Sequence, residues 1–325
     1  MKRPKSPIVG VLLVSIALLL PAISAARASE PNTLLGALEQ IESESGGLCD
    51  APAGDASLEA TIAALLDSVD ASGTPLRDSP FPVEALNEIV FRRLGIKASR
   101  DIHNPCNLLP SAVLARREGY CVGIAAIYLI LAEQLNLPVH AVAIPSHVYL
   151  RYDDGRSRID IETLALGAPT PEGLAEVTAP SSATARGRVA FPRDLDRDQF
   201  LAQVHNNLGV IRSERSDHEH AALEYQKALD LDPLFSAAWY NWGNDLFIGG
   251  RYREAIGKLN EALRLYPVDT WALNNRGRAW AALGKTSKAR KDFEAALAID
   301  PEFRPARRNL AALDAKPRTG AAPSR

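Results

Sequence analysis

A chain of 325 residues is long enough for two domains that each bury a core of their own. Its 37 basic and 39 acidic residues give a formal charge of −2, which excludes a protein held to nucleic acid by surplus positive charge. At 46% hydrophobic residues, its composition is that of an ordinary globular protein.

At the N-terminus Lys2, Arg3 and Lys5 precede an apolar run from Ile8 to Leu20, and Ala26-Arg27-Ala28 offers a small-x-small cleavage site. Residues 1–28 are therefore predicted to be a secretory signal peptide cut after Ala28. The alternative is an uncleaved anchor, because the apolar stretch with Pro21 nears spanning length. Cleavage removes Lys2, Arg3, Lys5 and Arg27 and no acid, leaving a mildly acidic mature protein, periplasmic or secreted, with no membrane span. An odd cysteine count in an exported chain suggests one disulfide and one free thiol. Cys49 and Cys106 both lie in turn-like sequence, where a bridge is easiest to place, and Cys121 does not. The expected pair is Cys49 with Cys106; three free thiols is the alternative.

Residues 29–79 read as an N-terminal helical segment and residues 80–195 as an α+β domain. Within the latter, Pro82 to Leu94 carries Val83, Leu86, Ile89 and Val90 on one stripe, predicting a helix. A short helix with Ser111 as its cap follows the turn at Asn104 to Pro110. Val122 to Leu135 is apolar on nearly every side, the mark of a central buried helix. Val139 to Ile144, His147 to Tyr152 and Arg158 to Glu162 read as strands. Gly167 to about Arg193 is rich in Pro, Ala, Ser and Thr and reads as a surface excursion.

The chemistry-bearing residues lie in that domain. Cys121 opens the buried helix, whose unpaired amides and positive dipole end favour a thiolate. His147 starts a strand, and Asp160 and Glu162 lie on the next one. If Asp153 to Arg156 closes the hairpin, His147 faces Glu162 and Tyr149 faces Asp160, so both acids share the face of His147. A nucleophile, a base and an orienting acid on three elements make a thiol acyl-transfer site. Pattern alone leaves both acids open. Each residue taken singly is more often structural; the combination favours a site. Gly123 is expected to let a substrate or a neighbouring strand approach the helix start. His103 and His140 read as structural or surface residues. No Cys/His spacing of ligand type occurs, so no metal or cofactor is indicated.

From residue 196 the chain repeats itself. Gly209, Gly243 and Gly277 share a step of 34 residues with three further columns, Ala221/Ala255/Ala289, Ala228/Ala262/Ala296 and Pro233/Pro267/Pro301. This is the tetratricopeptide signature, an all-α solenoid of antiparallel helix pairs. Residues 196–316 hold three repeats with a capping helix from Pro305, and 317–325 are expected to be a disordered tail.

Asn104-Pro105, Leu109-Pro110-Ser111, Val113 through Cys121, Leu135 through Val139, Pro145-Ser146-His147 and Ile159-Asp160 together resemble the short transglutaminase-like domain of the SirB N-terminal family. The resemblance implies a papain-like fold with a triad of Cys121, His147 and Asp160, Glu162 being the alternative acid. The Asp-Ile-Glu-Thr strand departs from the Asp-Pro-Thr of many such domains. The expected activity is cleavage or transfer of an amide acyl group, with water the favoured acceptor. The alternative is a catalytically silent scaffold for protein–protein interaction.

Resemblance to tetratricopeptide proteins implies a peptide or protein partner in a groove. At positions where repeats that clamp acidic chaperone tails carry Lys or Arg, this chain has Asn206, Val210, Trp271 and Asn275; only Asn241 agrees. The expected groove residues are Asn207, Asn241 and Asn275 beside Tyr240, Phe247 and Trp271. They suit an extended segment that is uncharged or mildly basic. Trp239, Trp242 and Trp280 are expected to pack between repeats.

Overall fold

The computed structural model describes residues 33–49, 57–70, 81–101, 103–145, 147–169 and 192–315. The predicted signal peptide, most of the 167–193 excursion and the C-terminal tail lie outside the described residues.

The architecture is built round α5 (Cys121–Leu135), which is buried along almost its whole length. It ends where expected, at Asn136 in the left-handed region (φ 53°), a conformation that asparagine tolerates at helix ends. Around it pack α1 (Leu34–Glu44), α2 (Leu58–Asp70), α3 (Pro82–Asn87, continued by a π turn to Arg93) and α4 (Pro110–Arg116). The predicted cap at Ser111 is not used. Pro110 opens α4, and both the backbone N–H and the hydroxyl of Ser111 donate to Glu42 of α1.

A five-stranded antiparallel sheet covers α5 in the order β6 (Ala168–Pro169), β5 (Arg158–Glu162), β4 (His147–Asp153), β3 (Val139–Ile144), β7 (Arg193–Leu195). A short parallel pair, β1 (Lys97–Ala98) and β2 (Glu118–Gly119), leads into α5. On one face Ala141, Ala143, Val148 and Leu150 join the α5 core, while Val142, Ile144 and Tyr149 cluster on the other. The β4–β5 ladder pairs Arg151 with Asp160 and Asp153 with Arg158. This is two residues off the expected register, because the loop is Asp154 to Ser157. Asp154 holds that loop by accepting from the backbone N–H groups of Arg156 and Ser157. An even shift preserves the shared face but changes which residues touch.

The repeats form three helix pairs: α6 (Arg197–Glu214) with α7 (His218–Leu231), α8 (Ser236–Ile248) with α9 (Tyr252–Leu265), and α10 (Thr270–Ala282) with α11 (Thr286–Ile299). Helix α12 (Arg304–Ala315) caps them. The glycine column has a packing reason. A Cβ on Gly209 would sit 2.7 Å from the Tyr225 ring, and one on Gly277 2.6 Å from the Phe293 ring. Trp239 and Trp242 stack side by side under the Lys258 ammonium, and Lys288 lies over Trp280.

The later repeats bury a core of their own around Leu259, Leu273 and Phe293, but the first repeat helix shares the core of the N-terminal part. Phe200, Leu201, Val204, Leu208 and Ile211 of α6 belong to the same apolar cluster as α5, as do Leu35 and Leu38 of α1 and Leu58 and Ile62 of α2. The expected boundaries at residues 80 and 196 therefore cross one continuous core. Polar contacts reinforce the docking: Arg212 donates to the carbonyl of Ser45, Arg215 to that of Leu48, and Lys227 pairs with Glu44.

Phe200→Ala is expected to cost about 3–5 kcal/mol. All four tryptophans lie in the repeats and Cys121 in the first domain. Urea unfolding should therefore show the loss in both tryptophan fluorescence and Cys121 thiol accessibility. A change in only one probe would mean that the halves unfold independently.

Candidate active site

Cys121 is the free cysteine of the described residues and lies at the first position of α5, whose cap residue Tyr120 contributes no side-chain cap. The amides of that first turn have no intrahelical acceptor, which leaves positive potential beside the sulfur. The loop from Pro105 to Leu108 is pressed against this helix start. The Asn107 carbonyl accepts the Tyr120 N–H at 2.8 Å and would lie 2.3 Å from a Cβ on Gly123. Gly123 is therefore required by the protein's own backbone rather than by a substrate. Cys106 in this loop is bonded to Cys49 (Cα–Cα 5.2 Å). The disulfide ties the segment after α1 to the loop that supports Cys121. With its cysteines 57 positions apart, it contributes on the order of 4 kcal/mol by constraining the unfolded chain.

His147 is the hub. Its Nε2 meets Glu162 Oε2 at 2.7 Å, which leaves Nδ1 as the nitrogen free to serve Cys121. Burial acts to lower the imidazole's proton affinity. The hydrogen bonds and negative charges of Cys121 and Glu162 outweigh it, and His147 is pushed up to about 10. Glu162 is itself held, its second oxygen accepting the Leu164 N–H at 2.9 Å.

Asp160, the acid implied by the family resemblance, is not His147's partner. It is the bidentate partner of Arg151 (2.5 and 2.9 Å), and Arg151 also donates to Asp194 at 2.8 Å and to the Tyr149 hydroxyl at 3.0 Å. The register explains the exchange. Arg151 sits directly opposite Asp160, and continuing the ladder puts Glu162 opposite Tyr149, one diagonal step from His147. With Arg151 only 4% exposed, its network demands the Asp160 charge.

Tyr120 completes the arrangement and was not singled out by sequence. Burial, followed by the charge and hydrogen-bonding capacity of the adjacent Cys121, pushes its hydroxyl up to about 12. It therefore stays a proton donor at neutral pH. The one available sequence signal was its position immediately before the cysteine.

Cys121, His147 and Tyr120 open on a cavity of about 1040 Å³. Four of the six expected groove residues, Asn207, Asn241, Tyr240 and Trp271, line the same cavity. The other two are not among its walls. Asn275 is buried and donates to Tyr240 and Asn244, and Phe247 packs against Tyr252 beneath Arg278. His103 pairs with Glu214 at the cavity edge, and His140 lies 3.5 Å from Asp194. Among the described residues no group of His, Cys, Asp and Glu is placed to hold a metal, and no helix is long and apolar enough to cross a membrane.

Residues 56–196 match the transglutaminase-like superfamily, and residues 206–267 and 240–302 match the tetratricopeptide repeat. The chain is a transglutaminase-like core followed by tetratricopeptide repeats. It is 24% identical over 224 residues to a UPF0162 protein of Xylella fastidiosa (strain 9a5c), covering 68% of this chain and 69% of that one. It is 36% identical over 74 residues to F-box only protein 21 of Homo sapiens, covering 22% of this chain and only 12% of that protein's length. Among solved structures it is similar to the first repeat domain of Spaghetti (RPAP3) bound to an HSP90 peptide, at 27% identity and a TM-score of 0.34. That likeness covers 35% of this chain and 90% of that one.

The two acids are separable by pH. Glu162 raises the proton affinity of His147, so Glu162→Gln should move the loss of the imidazolium to lower pH, whereas Asp160→Asn should leave it near the wild-type position. An NMR titration of the His147 ring, or the alkaline limb of Cys121 alkylation, measures this. A larger shift in Asp160→Asn would restore Asp160 as the orienting acid.

Proposed function

We propose that this chain is an exported cysteine acyl-transfer enzyme that hydrolyses amide bonds through Cys121, His147 and Glu162, with its repeats recruiting a peptide or protein partner. The observation that carries this reading is His147, held by Glu162 at 2.7 Å and under the influence of Cys121 at the wall of a large cavity. In the proposed reaction His147 takes the Cys121 thiol proton as the sulfur attacks the amide carbonyl carbon. The C–N bond then breaks, and the leaving amine takes a proton from His147. Water attacks the resulting thioester carbonyl and gives a proton to His147. The C–S bond breaks, a carboxylic acid leaves, and the sulfur recovers its starting state. Glu162 holds the ring at Nε2 and stabilises the imidazolium. The Cys121 N–H and the Tyr120 hydroxyl are the donors proposed for the developing oxyanion.

Export is supported by the basic-apolar-small pattern of residues 1–28 and by the Cys49–Cys106 disulfide, a bond that persists in oxidising compartments. The second reading, a silent scaffold, is favoured by one observation: Cys121 is only 2% exposed.

Alkylation of the folded protein separates the two. Cys121 is expected to be the modified residue, about 100-fold more slowly in His147→Ala and at an unchanged rate in His140→Ala. A peptide amide electrophile should form an adduct with the wild type but not with Cys121→Ala, and Tyr120→Phe should slow that step by about 100-fold. Equal alkylation rates in wild type and His147→Ala, with no adduct, would leave the scaffold reading.

A further inference from the structure

We propose that the ligand of the repeats and the substrate of Cys121 are one molecule, an uncharged extended protein segment lying in a single cleft that runs from Trp271 past Asn241 and Asn207 to the sulfur. In naming the occupant a substrate, the proposal rests on the acyl-transfer reading. Its starting point is the cavity itself. Tyr120, Cys121 and His147 are part of its wall, and so are Asn207, Asn241 and Trp271 from three successive repeats. The junction is rigid, because Val204, Leu208 and Ile211 of α6 are packed into the α5 core while Gln203 and Asn207 of the same helix line the cleft. At about 1040 Å³ the cavity lies at the upper end of small-ligand pockets (about 300–1,000 Å³), and its walls come from two families of elements. That shape suits several residues of extended chain better than a compact metabolite.

The polar groups on the wall match a peptide backbone. Asn207 uses its side-chain carbonyl to accept from Asn206 at 3.3 Å, which leaves its amide hydrogens. Asn241 uses its amide to donate to the Asn206 carbonyl at 2.9 Å, which leaves its own carbonyl. One repeat thus offers a donor and the next an acceptor, and Gln203 has no side-chain partner among the described residues. An extended chain presents N–H and C=O groups in the same alternation.

The charged groups on the wall argue for a neutral occupant, because each is already matched. Arg193 is held by both oxygens of Asp232 (2.8 and 3.1 Å), His103 by Glu214, and His147 by Glu162. Asp269 caps α10 by accepting the Ala272 N–H at 2.9 Å, and burial holds its carboxyl above the usual range. No lining cation is left to clamp a terminal carboxylate. The exposed apolar residues Leu234 and Trp271, 49% and 53% exposed, lie on the same wall and suit apolar side chains between the backbone contacts.

The test uses the full chain. Synthetic peptides of about ten residues, enough to span about 30 Å when extended, are selected on Cys121→Ala, and the winners are added to wild type during alkylation. The expected result is enrichment of uncharged sequences that slow Cys121 alkylation at least tenfold. A benzophenone on one such peptide should crosslink near Trp271 from one end and near Tyr120 from the other. Asn207→Ala with Asn241→Ala should weaken binding about tenfold, and the exposed substitution Leu234→Ser should do so without touching the core. Peptides that bind the repeats yet leave alkylation unchanged would overturn the shared cleft, as would enrichment confined to acidic C-terminal tails or no enrichment at all. Protection of Cys121 without any acyl-enzyme on the wild type would uphold the shared cleft and sink the enzymatic reading instead.

Discussion

The packing of α6 into the α5 core is the contact on which the rest of the molecule depends. Phe200, Val204, Leu208 and Ile211 are almost fully removed from water, and each contributes about 1.5–3 kcal/mol by burial. This single helix is at once the first element of the solenoid and a wall of the catalytic domain. The glycine column closes each helix pair on itself, and the later pairs follow α6 and α7 in order along the chain. A flexible linker would have left the repeats free to turn away from Cys121. A shared core holds their concave face across from the thiol.

The site has the same character of parts held by distant parts. Cys121 sits where it does because the Asn107 backbone presses on Gly123, and that loop is tied through Cys106 to Cys49. The segment leading to Cys49 is held in turn by Arg212 of α6 and Arg215 just past its end, through the carbonyls of Ser45 and Leu48. The disulfide, the nucleophile's loop and the first repeat thus form one mechanical chain. Beside it, the Arg151 cluster joins Asp160 on β5 to Asp194 on β7 and braces the strands that carry His147 and Glu162. Asp160 therefore acts on sheet geometry, and Glu162 on the imidazole.

Much of this was legible in the residues. The solenoid was readable because a 34-residue repeat writes the same packing problem three times, glycine against Tyr225, Leu259 and Phe293 in turn, and each copy confirms the period. The buried helix was readable because apolar residues on all sides admit no other position. Cys121 and His147 stood out because a cysteine at a helix start and a histidine at a strand start are placed by local signals. The acid was not readable, because Asp160 and Glu162 share a face. Asp160 was favoured by the family resemblance alone, and the buried Arg151 that claims it is a contact no strand pattern displays. Tyr120 was missed because nothing local says that a tyrosine ahead of a helix turns its hydroxyl back to the next residue. Phe247 and Asn275 were misassigned because repeat position identifies a helix face but not which neighbour already covers it.

By itself the sequence determined the parts: a thiol at a helix N-terminus, a histidine and two acids on neighbouring strands, and a stack of helix pairs with asparagines in register. Those are local matters, decided by periodicity, capping and residue size within a few turns of chain. Only the tertiary structure decided the partnerships. Glu162 rather than Asp160 meets His147, because a buried guanidinium claims the nearer carboxylate in the register formed. The asparagines of the repeats and the cysteine of the core face one cavity, because α6 buries its apolar side in one domain and turns its polar side to the other. Both outcomes depend on contacts between residues far apart in the chain, and no local pattern encodes them.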